Sequence, residues 1–354
     1  EIRIKSSNVA SSALKTILNA KCEEYSWEDV VTENVGGEGV YDAEKASLRD
    51  VAKVSENEWK DDTRISEDGK SIFVTNLSGV VVNPSEEDEE ENTTEDKPEP
   101  VEGSLAWAIQ NADGKTVRFA ENLFVNGQLE IVLEDAIDMP SNVVIDAGEG
   151  KTVTIRVADP GVYFMADGTC TWEANLTASD YRLFNYEEAG ELTLTNVHLL
   201  GGAIGLEAVF GTGGGVIYAA DDLKLTATNS YLSRGASAGN GGAIDVDGKL
   251  TIVGDKLTFA ANQALTGGLG GLLVGEVGGG GAIAATDVDL SKGIEKVEPE
   301  KDPETKAVDV RFDNNSVAGN GGAVYVKDSG SLTLPEEGVR FRRNSTIFGN
   351  GGAV

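Results

Sequence analysis

The sequence has little of what several protein classes depend on. Of its 354 residues, 8 are Pro, 2 are Cys and 1 is His. Cys22 and Cys170 are far apart, and no Cys-x-x-Cys or Cys/His cluster occurs, so a zinc site is not expected and a bond between the two thiols stays open. Any Ser-His or Cys-His nucleophile would depend on His198 alone. No apolar run approaches the ~20 residues that a membrane-spanning helix needs.

Charge and glycine content narrow the classes further. The chain carries 29 basic and 60 acidic residues, a formal net charge of −31, which disfavours nucleic acid and anionic lipid as partners. Its 44 glycines do not recur at every third position, which excludes collagen. Many glycines with few prolines are typical of a β-protein with many tight turns, because glycine reaches positive φ without steric cost.

The first third of the chain divides into two segments. Residues 1–84 predict a small mixed α/β cap, with helical spacing at Leu14, Ile17 and Leu18 and a strand-rich stretch at 71–82. Residues 85–102, SEEDEEENTTEDKPEPVE, contain nothing that can bury a core. We therefore expect an acidic, solvated and disordered loop there.

From residue 103 onwards the pattern is that of short strands. A short amphipathic helix is predicted over 105–111, followed by a turn at Asp113-Gly114 and a strand over 116–119. Short β-branched runs bounded by Gly, Asp or Asn follow at 129–133, 142–157 and 191–200. Strands at this density without intervening helices predict an all-β architecture over 103–354.

Two motifs recur in the second half of the chain. Pairs of glycines begin at 214, 241, 280, 321 and 351, at intervals of 27, 39, 41 and 30 residues, and most are followed by Ala and then Ile or Val. Phe-x-x-Asn lies between them as Phe259…Asn262, Phe312…Asn315 and Phe341…Asn344. Thr193…Asn196 and Thr226…Asn229 are interpreted as earlier copies with Thr in place of Phe.

Units of this length cannot bury their own apolar faces, so they must stack on their neighbours. Stacked units made of strands and turns predict a right-handed parallel β-helix, in which equivalent side chains of adjacent coils lie about 4.8 Å apart. Gly-Gly is expected to turn the chain, Ala to fill an inner corner, Phe to form an aromatic stack and Asn an amide ladder. Residues 295–306 are expected to bulge outward as a loop. The residues predicted to be structural are Gly241, Gly242, Ala243, Phe259, Asn262, Gly280, Gly281, Ala282, Phe312, Asn315, Gly321, Gly322, Ala323, Phe341 and Asn344.

The paired motifs resemble the GGA(I/L/V) and FxxN repeats of the chlamydial polymorphic membrane protein family, over roughly residues 190–354. The resemblance implies an autotransported surface adhesin with a β-helical passenger and a C-terminal outer-membrane barrel. The chain departs from the family in being poor in Cys and in having Thr193 and Thr226 at Phe positions, and no barrel is recognised in its sequence. Because the sequence opens without Met and closes at GNGGAV inside a motif, we expect a fragment of a longer polypeptide whose signal peptide and anchor lie outside it.

The functional hypothesis from the sequence is a non-enzymatic, extracellular adhesin-like module on a bacterial surface, with a host or cell-surface protein or glycan as its ligand. A carbohydrate-active β-helix enzyme and a fibre that stacks end to end stay open as alternatives. No catalytic residue or cofactor is assigned. Calcium is the one metal considered, with ligands from pairs of aspartates that alternate along two strands and are expected to face solvent: Asp245, Asp247, Asp287 and Asp289.

Overall fold

The computed structural model describes residues 64–66, 68–77, 100–158, 181–204, 213–264, 279–292, 294–295, 306–307, 309–346 and 349–354. The chain divides into two compact modules, an N-terminal module Glu1–Leu129 and a C-terminal module Glu130–Val354. The expectations for most of the cap, for nearly all of the acidic loop and for both cysteines lie outside the described residues. Within the described residues, no helix has the length and apolarity that crossing a membrane requires.

The N-terminal module contains strand β1 (Ser71–Val74), helix α1 (Leu105–Gln110), strand β2 (Thr116–Phe119) and a 3-10 turn (Glu121–Leu123). The predicted helix and strand are confirmed. The Ser104 hydroxyl caps α1 by accepting a hydrogen bond from the Trp107 N–H. Strand β1 pairs in parallel with β2, so this stretch of the predicted cap contributes to parallel pairing.

The remaining strands are short, except for β12, β14 and β16, which have 11, 17 and 10 residues. Their bounds are β3 Gln128–Leu133, β4 Ile137–Asp138, β5 Asn142–Asp146, β6 Thr152–Val157, β7 Phe184–Tyr186, β8 Gly190–Thr195, β9 Val197–Leu200, β10 Ala203–Ile204, β11 Ile217–Ala219, β12 Leu223–Ser233, β13 Ala236–Ser237, β14 Ile244–Ala260, β15 Gln263–Ala264, β16 Ile283–Lys292, β17 Ile294–Glu295, β18 Lys306–Ala307, β19 Val310–Asp313, β20 Ser316–Val317, β21 Val324–Val326, β22 Leu332–Thr333, β23 Val339–Arg342 and β24 Ser345–Thr346.

Parallel pairing between adjacent repeats dominates the C-terminal module. One run of strands is β7-β11-β14-β16-β21, a second is β6-β9-β12-β14-β19-β23, and a third is the short-stranded sheet β10-β13-β15-β20-β24. The exception is an antiparallel pair, β17 with β18, at the ends of the segment predicted to bulge outward. The predicted all-β class with parallel strands is confirmed.

The register places like residues on top of one another in the core. Phe259 lies opposite Phe312, and Phe312 opposite Phe341. Their rings stack with centroids 4.9 Å apart at each step and with interplanar angles of 6° and 9°. Phe259 and Phe312 are fully buried, and burying such a side chain contributes about 1.5–3 kcal/mol.

In the two repeats before Phe259, leucine occupies the position equivalent to phenylalanine. Leu199 and Leu232 are the residues in register with Phe259, whereas Thr226 pairs with Val253. The interpretation of Thr193 and Thr226 as Phe equivalents is therefore wrong. Asn196 and Asn229 mislead because they form a separate amide pair, Asn229 Nδ2 to Asn196 Oδ1 at 2.8 Å, at left-handed bends on the exterior.

The buried asparagines form a continuous ladder. Asn262 Nδ2 donates to Asn315 Oδ1, and Asn315 Nδ2 donates to Asn344 Oδ1, both at 2.9 Å. Each acceptor oxygen also accepts a hydrogen bond of 3.0 Å from the backbone N–H of the preceding ladder residue. Because a buried amide without partners is costly, this arrangement holds the corner at the same place in the three repeats that contain Asn262, Asn315 and Asn344.

The two glycines of each pair serve different purposes. The first adopts positive φ, as at Gly241 (57°) and Gly280 (83°). The second lies against the backbone of the next repeat, so that a Cβ on Gly242 would approach the Gly281 carbonyl oxygen to 2.2 Å. The alanine that follows, such as Ala243, is fully buried at the corner.

Candidate functional site

The predicted calcium ligands on β14 lie in a buried polar cluster. Asp245 is 2% exposed, so the expectation that it faces solvent is wrong. Its Oδ2 accepts a hydrogen bond of 2.8 Å from the Gly213 N–H, which ties the glycine-rich corner of one repeat to the strand of the next. Asp247, two residues further on, is exposed.

Lys327 provides the positive charge of this cluster. Its Nζ lies 2.7 Å from Asp245 Oδ1 and 3.0 Å from Asp247 Oδ1. The strand β16 lies between the two repeats, and it presents the small, fully buried Ala284 in register with Asp245. A larger residue there would fill the space through which the lysine reaches back. The ammonium thus stands where a bound cation would compensate the two carboxylates.

Two further side chains complete the cluster. The Tyr218 hydroxyl donates to Asp247 Oδ2 at 2.7 Å, and the Arg182 guanidinium lies over the Tyr218 ring, 4.8 Å from its centroid. Arg182 Nη1 donates to Asn185 Oδ1 at 3.0 Å. Burial and the bond to Asp247 raise the pKa of Tyr218, so the tyrosine is neutral and serves as a donor.

Burial shifts the pKa values of the ion pair formed by Asp245 and Lys327. Burial raises the pKa of Asp245, against the opposing attraction of Lys327 and the Gly213 N–H. Burial alone would lower the pKa of Lys327, but its attraction to Asp245 and Asp247 outweighs this and the net shift is upward. The lysine is therefore charged and depends on both aspartates for compensation.

The aspartates of β16 are held by serine hydroxyls. Asp287 Oδ1 accepts from the Ser331 N–H at 2.7 Å and hydroxyl at 2.6 Å, which lowers the pKa of Asp287. Asp289 is 8% exposed, so the expectation of a solvent-facing carboxylate is wrong for it too. Burial opposes ionisation of Asp289, but hydrogen bonds from Ser291 outweigh it and the pKa of Asp289 is lowered.

These four carboxylates do not converge on one point. Over the described ranges, no group of three or more His, Cys, Asp or Glu side chains has an arrangement that could hold a metal ion. Each of the four has a hydrogen bond or an ion pair to a neighbouring side chain or N–H. The sequence alone did not predict three members of this cluster, Lys327, Tyr218 and Arg182. An alignment of the repeats by strand register would have placed them close together.

An open polar groove lies across the strands β5, β8, β12 and β14. Its volume is about 460 Å³. Lys224 Nζ lies 3.0 Å from Glu191 Oε2 within it. The lining residues are Ser141, Asn142, Ala189, Gly190, Glu191, Asp222, Leu223, Lys224, Lys249 and Thr251.

A second exterior surface is here called the outer strip. It consists of two columns of outward residues on β6, β9, β19 and β23 and on the C-terminal parts of β12 and β14. Tyr231 is 41% exposed at its middle, and its ring meets that of His198 edge-on with centroids 4.5 Å apart. Burial lowers the pKa of His198. The two columns of the strip are Thr154, His198, Tyr231, Thr258, Arg311 and Arg340, and Arg156, Leu200, Ser233, Ala260, Asp313 and Arg342.

One end of the outer strip is rich in arginine. Arg311 makes a two-pronged ion pair with Asp309 at 3.0 and 2.9 Å, and Arg342 makes one with Asp313 at 3.0 Å for both contacts. Arg340 and Arg343 are exposed and have no ion pair within the described part of the chain.

Comparison of the chain with protein-family models, with curated proteins and with solved structures found no match.

Proposed function

We propose that the C-terminal module is a right-handed parallel β-helix and that its repeats are the coils. The repeated parallel register, the glycine corners and the amide ladder support this architecture. Right-handedness is supported by the strong general preference of parallel crossover connections for that hand. A rigid stack of this kind suits a scaffold that displays its exterior.

The proposed function is that of a non-enzymatic adhesin-like module on a bacterial surface, similar to the passengers of chlamydial polymorphic membrane proteins. One observation carries it. The inward column repeats phenylalanine at Phe259, Phe312 and Phe341, whereas the outward column beside it varies, as from Tyr231 to Thr258 to Arg311. Uniformity inside serves stacking, and variety outside is typical of a surface under selection for binding.

The experiment is adhesion of beads coated with the purified chain to cultured host cells and to other bacteria. We expect binding that saturates and that the soluble chain competes away, with beads coated with an equally acidic globular protein as the control. An absence of adhesion to every cell type would contradict the proposal. Turnover of a polysaccharide, lost when one pair of carboxylates is replaced, would instead identify a carbohydrate-active enzyme.

A further inference from the structure

The outer strip has the opposite charge balance to the rest of the molecule. The chain as a whole has 60 acidic against 29 basic residues. In the two columns of the strip, the charged residues are four arginines and the single aspartate Asp313, with His198 neutral. Three of these arginines have a carboxylate partner, Arg156 with Glu130, Arg311 with Asp309 and Arg342 with Asp313. The positive charge that stays uncompensated, at Arg340 and the nearby Arg343, attracts anions in a protein that otherwise repels them.

The arginines at one end are arranged at an electrostatic cost. Arg311 and Arg340 lie directly opposite each other on β19 and β23, and like charges in that position destabilise a sheet. Asp309 compensates Arg311, but Arg340 and the nearby Arg343 have no carboxylate partner in the described residues. An external anion would compensate them, because a guanidinium binds carboxylate or sulfate through two parallel hydrogen bonds.

The middle of the strip adds a flat apolar surface. The Tyr231 ring is exposed on one side and is held by His198 on the other. Thr258, in register with Tyr231, places a hydroxyl between the aromatic pair and Arg311. An exposed aromatic ring flanked by hydroxyl and guanidinium groups provides stacking for a sugar ring and hydrogen bonds for its substituents.

We propose that the outer strip binds a linear anionic glycan, laid across the strands with a sugar ring on Tyr231 and its acidic groups on Arg340 and Arg343. This inference rests on the proposed function and names the ligand class of one surface. The strip is a sheet face made of side chains, whereas a peptide that adds as a further strand pairs with the backbone of an edge strand. Because charges are screened over about 8 Å at physiological ionic strength, the local arginines govern the final contact in spite of the net charge.

The test measures binding of the purified chain to immobilised heparin, to polygalacturonate, to neutral dextran and to poly-L-glutamate. We expect binding to one or both of the anionic glycans, weakened by salt, and none to dextran or to the peptide. Arg340→Gln with Arg343→Gln should weaken binding about tenfold or more, as expected for loss of a charge-assisted hydrogen bond. Tyr231→Ala should weaken it too, and Tyr231→Phe should retain it.

The matched control is Lys224→Gln with Lys249→Gln, which removes two half-exposed positive charges from the groove on the same module. It should leave binding unchanged, and all variants should melt like the wild type because the substituted side chains are on the surface. Equal binding by the arginine variant, loss in the groove variant, or preference for poly-L-glutamate would each overturn the inference. Bead adhesion would persist in those cases if the proposed function holds, so the two failures are distinguishable.

Discussion

The Lys327 ammonium lies 2.7 Å from the Asp245 carboxylate although their repeats are not adjacent. The strand β16 passes between them, and Ala284 leaves the space for this contact. The lysine also bonds to the Val246 carbonyl oxygen at 3.1 Å and to Asp247. A single side chain thereby connects the first and the third of three successive repeats.

Replacement of Lys327 by Met should destabilise the fold strongly. The change leaves Asp245 buried without its counter-charge, and breaking a buried pair in this way costs about 3–5 kcal/mol. Asp245→Asn in the same chain should recover much of this loss, because the amide oxygen still accepts from the Gly213 N–H. Urea unfolding of both variants measures the coupling. Lys249→Met, at a half-exposed pair of 3.8 Å, is the control and should cost less than about 1 kcal/mol. If the losses of stability in Lys327→Met and in Asp245→Asn simply add up in the double variant, the pair is not coupled.

Removal of one step of the amide ladder should cost more in the middle than at its end. Asn315 is fully buried and bonds to Asn262, to Asn344 and to the Phe259 carbonyl oxygen. Asn315→Ala leaves several of these groups unsatisfied, and each costs about 1–3 kcal/mol when buried. Asn344→Ala, at a half-buried position, should cost less because water can replace its bonds. Denaturant midpoints compare the two, and equal losses would argue against a buried ladder.

Substitution at the second glycine of a pair should prevent folding. A Cβ on Gly242 would lie 2.2 Å from the Gly281 carbonyl oxygen and 2.4 Å from the Gln263 nitrogen, which the packed neighbours cannot relieve. Gly150→Ala is the control, since its φ is positive (69°), unlike that of Gly242, but no atom lies within 4 Å of an added Cβ. It should cost only about 1–2 kcal/mol, the conformational penalty alone. Circular dichroism and thermal melting test the pair, and a folded Gly242→Ala variant of normal stability would contradict the close packing.

His198 should titrate below the ordinary value of about 6.5. Burial beside Tyr231 lowers its pKa, so the unfolded state takes up the proton at a higher pH than the folded state does. The stability from the neutral ring is complete above about pH 6.5 and is lost as pH falls from there towards the folded-state pKa. As the chain has 1 histidine, its ring proton resonances report this without overlap. Tyr231→Ala should move the midpoint back upwards, and a midpoint at or above 6.5 in the wild type would refute the assignment.

The aromatic stack, the amide ladder and the glycine corners could be predicted because they follow from repetition. Translation by one repeat places Phe312 on Phe259 and Asn315 on Asn262, so the motif spacing in the sequence is enough. The assignment failed at Thr226, where a second asparagine position imitates the first. Sequence spacing alone does not separate a buried corner from an exterior bend with a similar residue.

The polar cluster could not be predicted because it depends on differences between repeats. Asp245, Ala284 and Tyr325 occupy the same column, so equivalent positions of successive repeats have very different side chains. Burial of Asp245 likewise depends on Lys327, which lies about 80 residues later in the chain. A pattern of alternating aspartates predicts strand faces, but it does not show which exterior face is covered.

The spacing of the glycine pairs varies from 27 to 41 residues, yet the residues just after each corner stay in register, Ile217 with Ile244, Ile283 and Val324. The length of chain between two corners therefore has no effect on the stacking distance. Insertions and deletions in those stretches leave the core residues in place, as the antiparallel pair β17 and β18 illustrates at the ends of one long insertion. Such a chain can gain or lose surface segments in the course of evolution while its foldability is preserved.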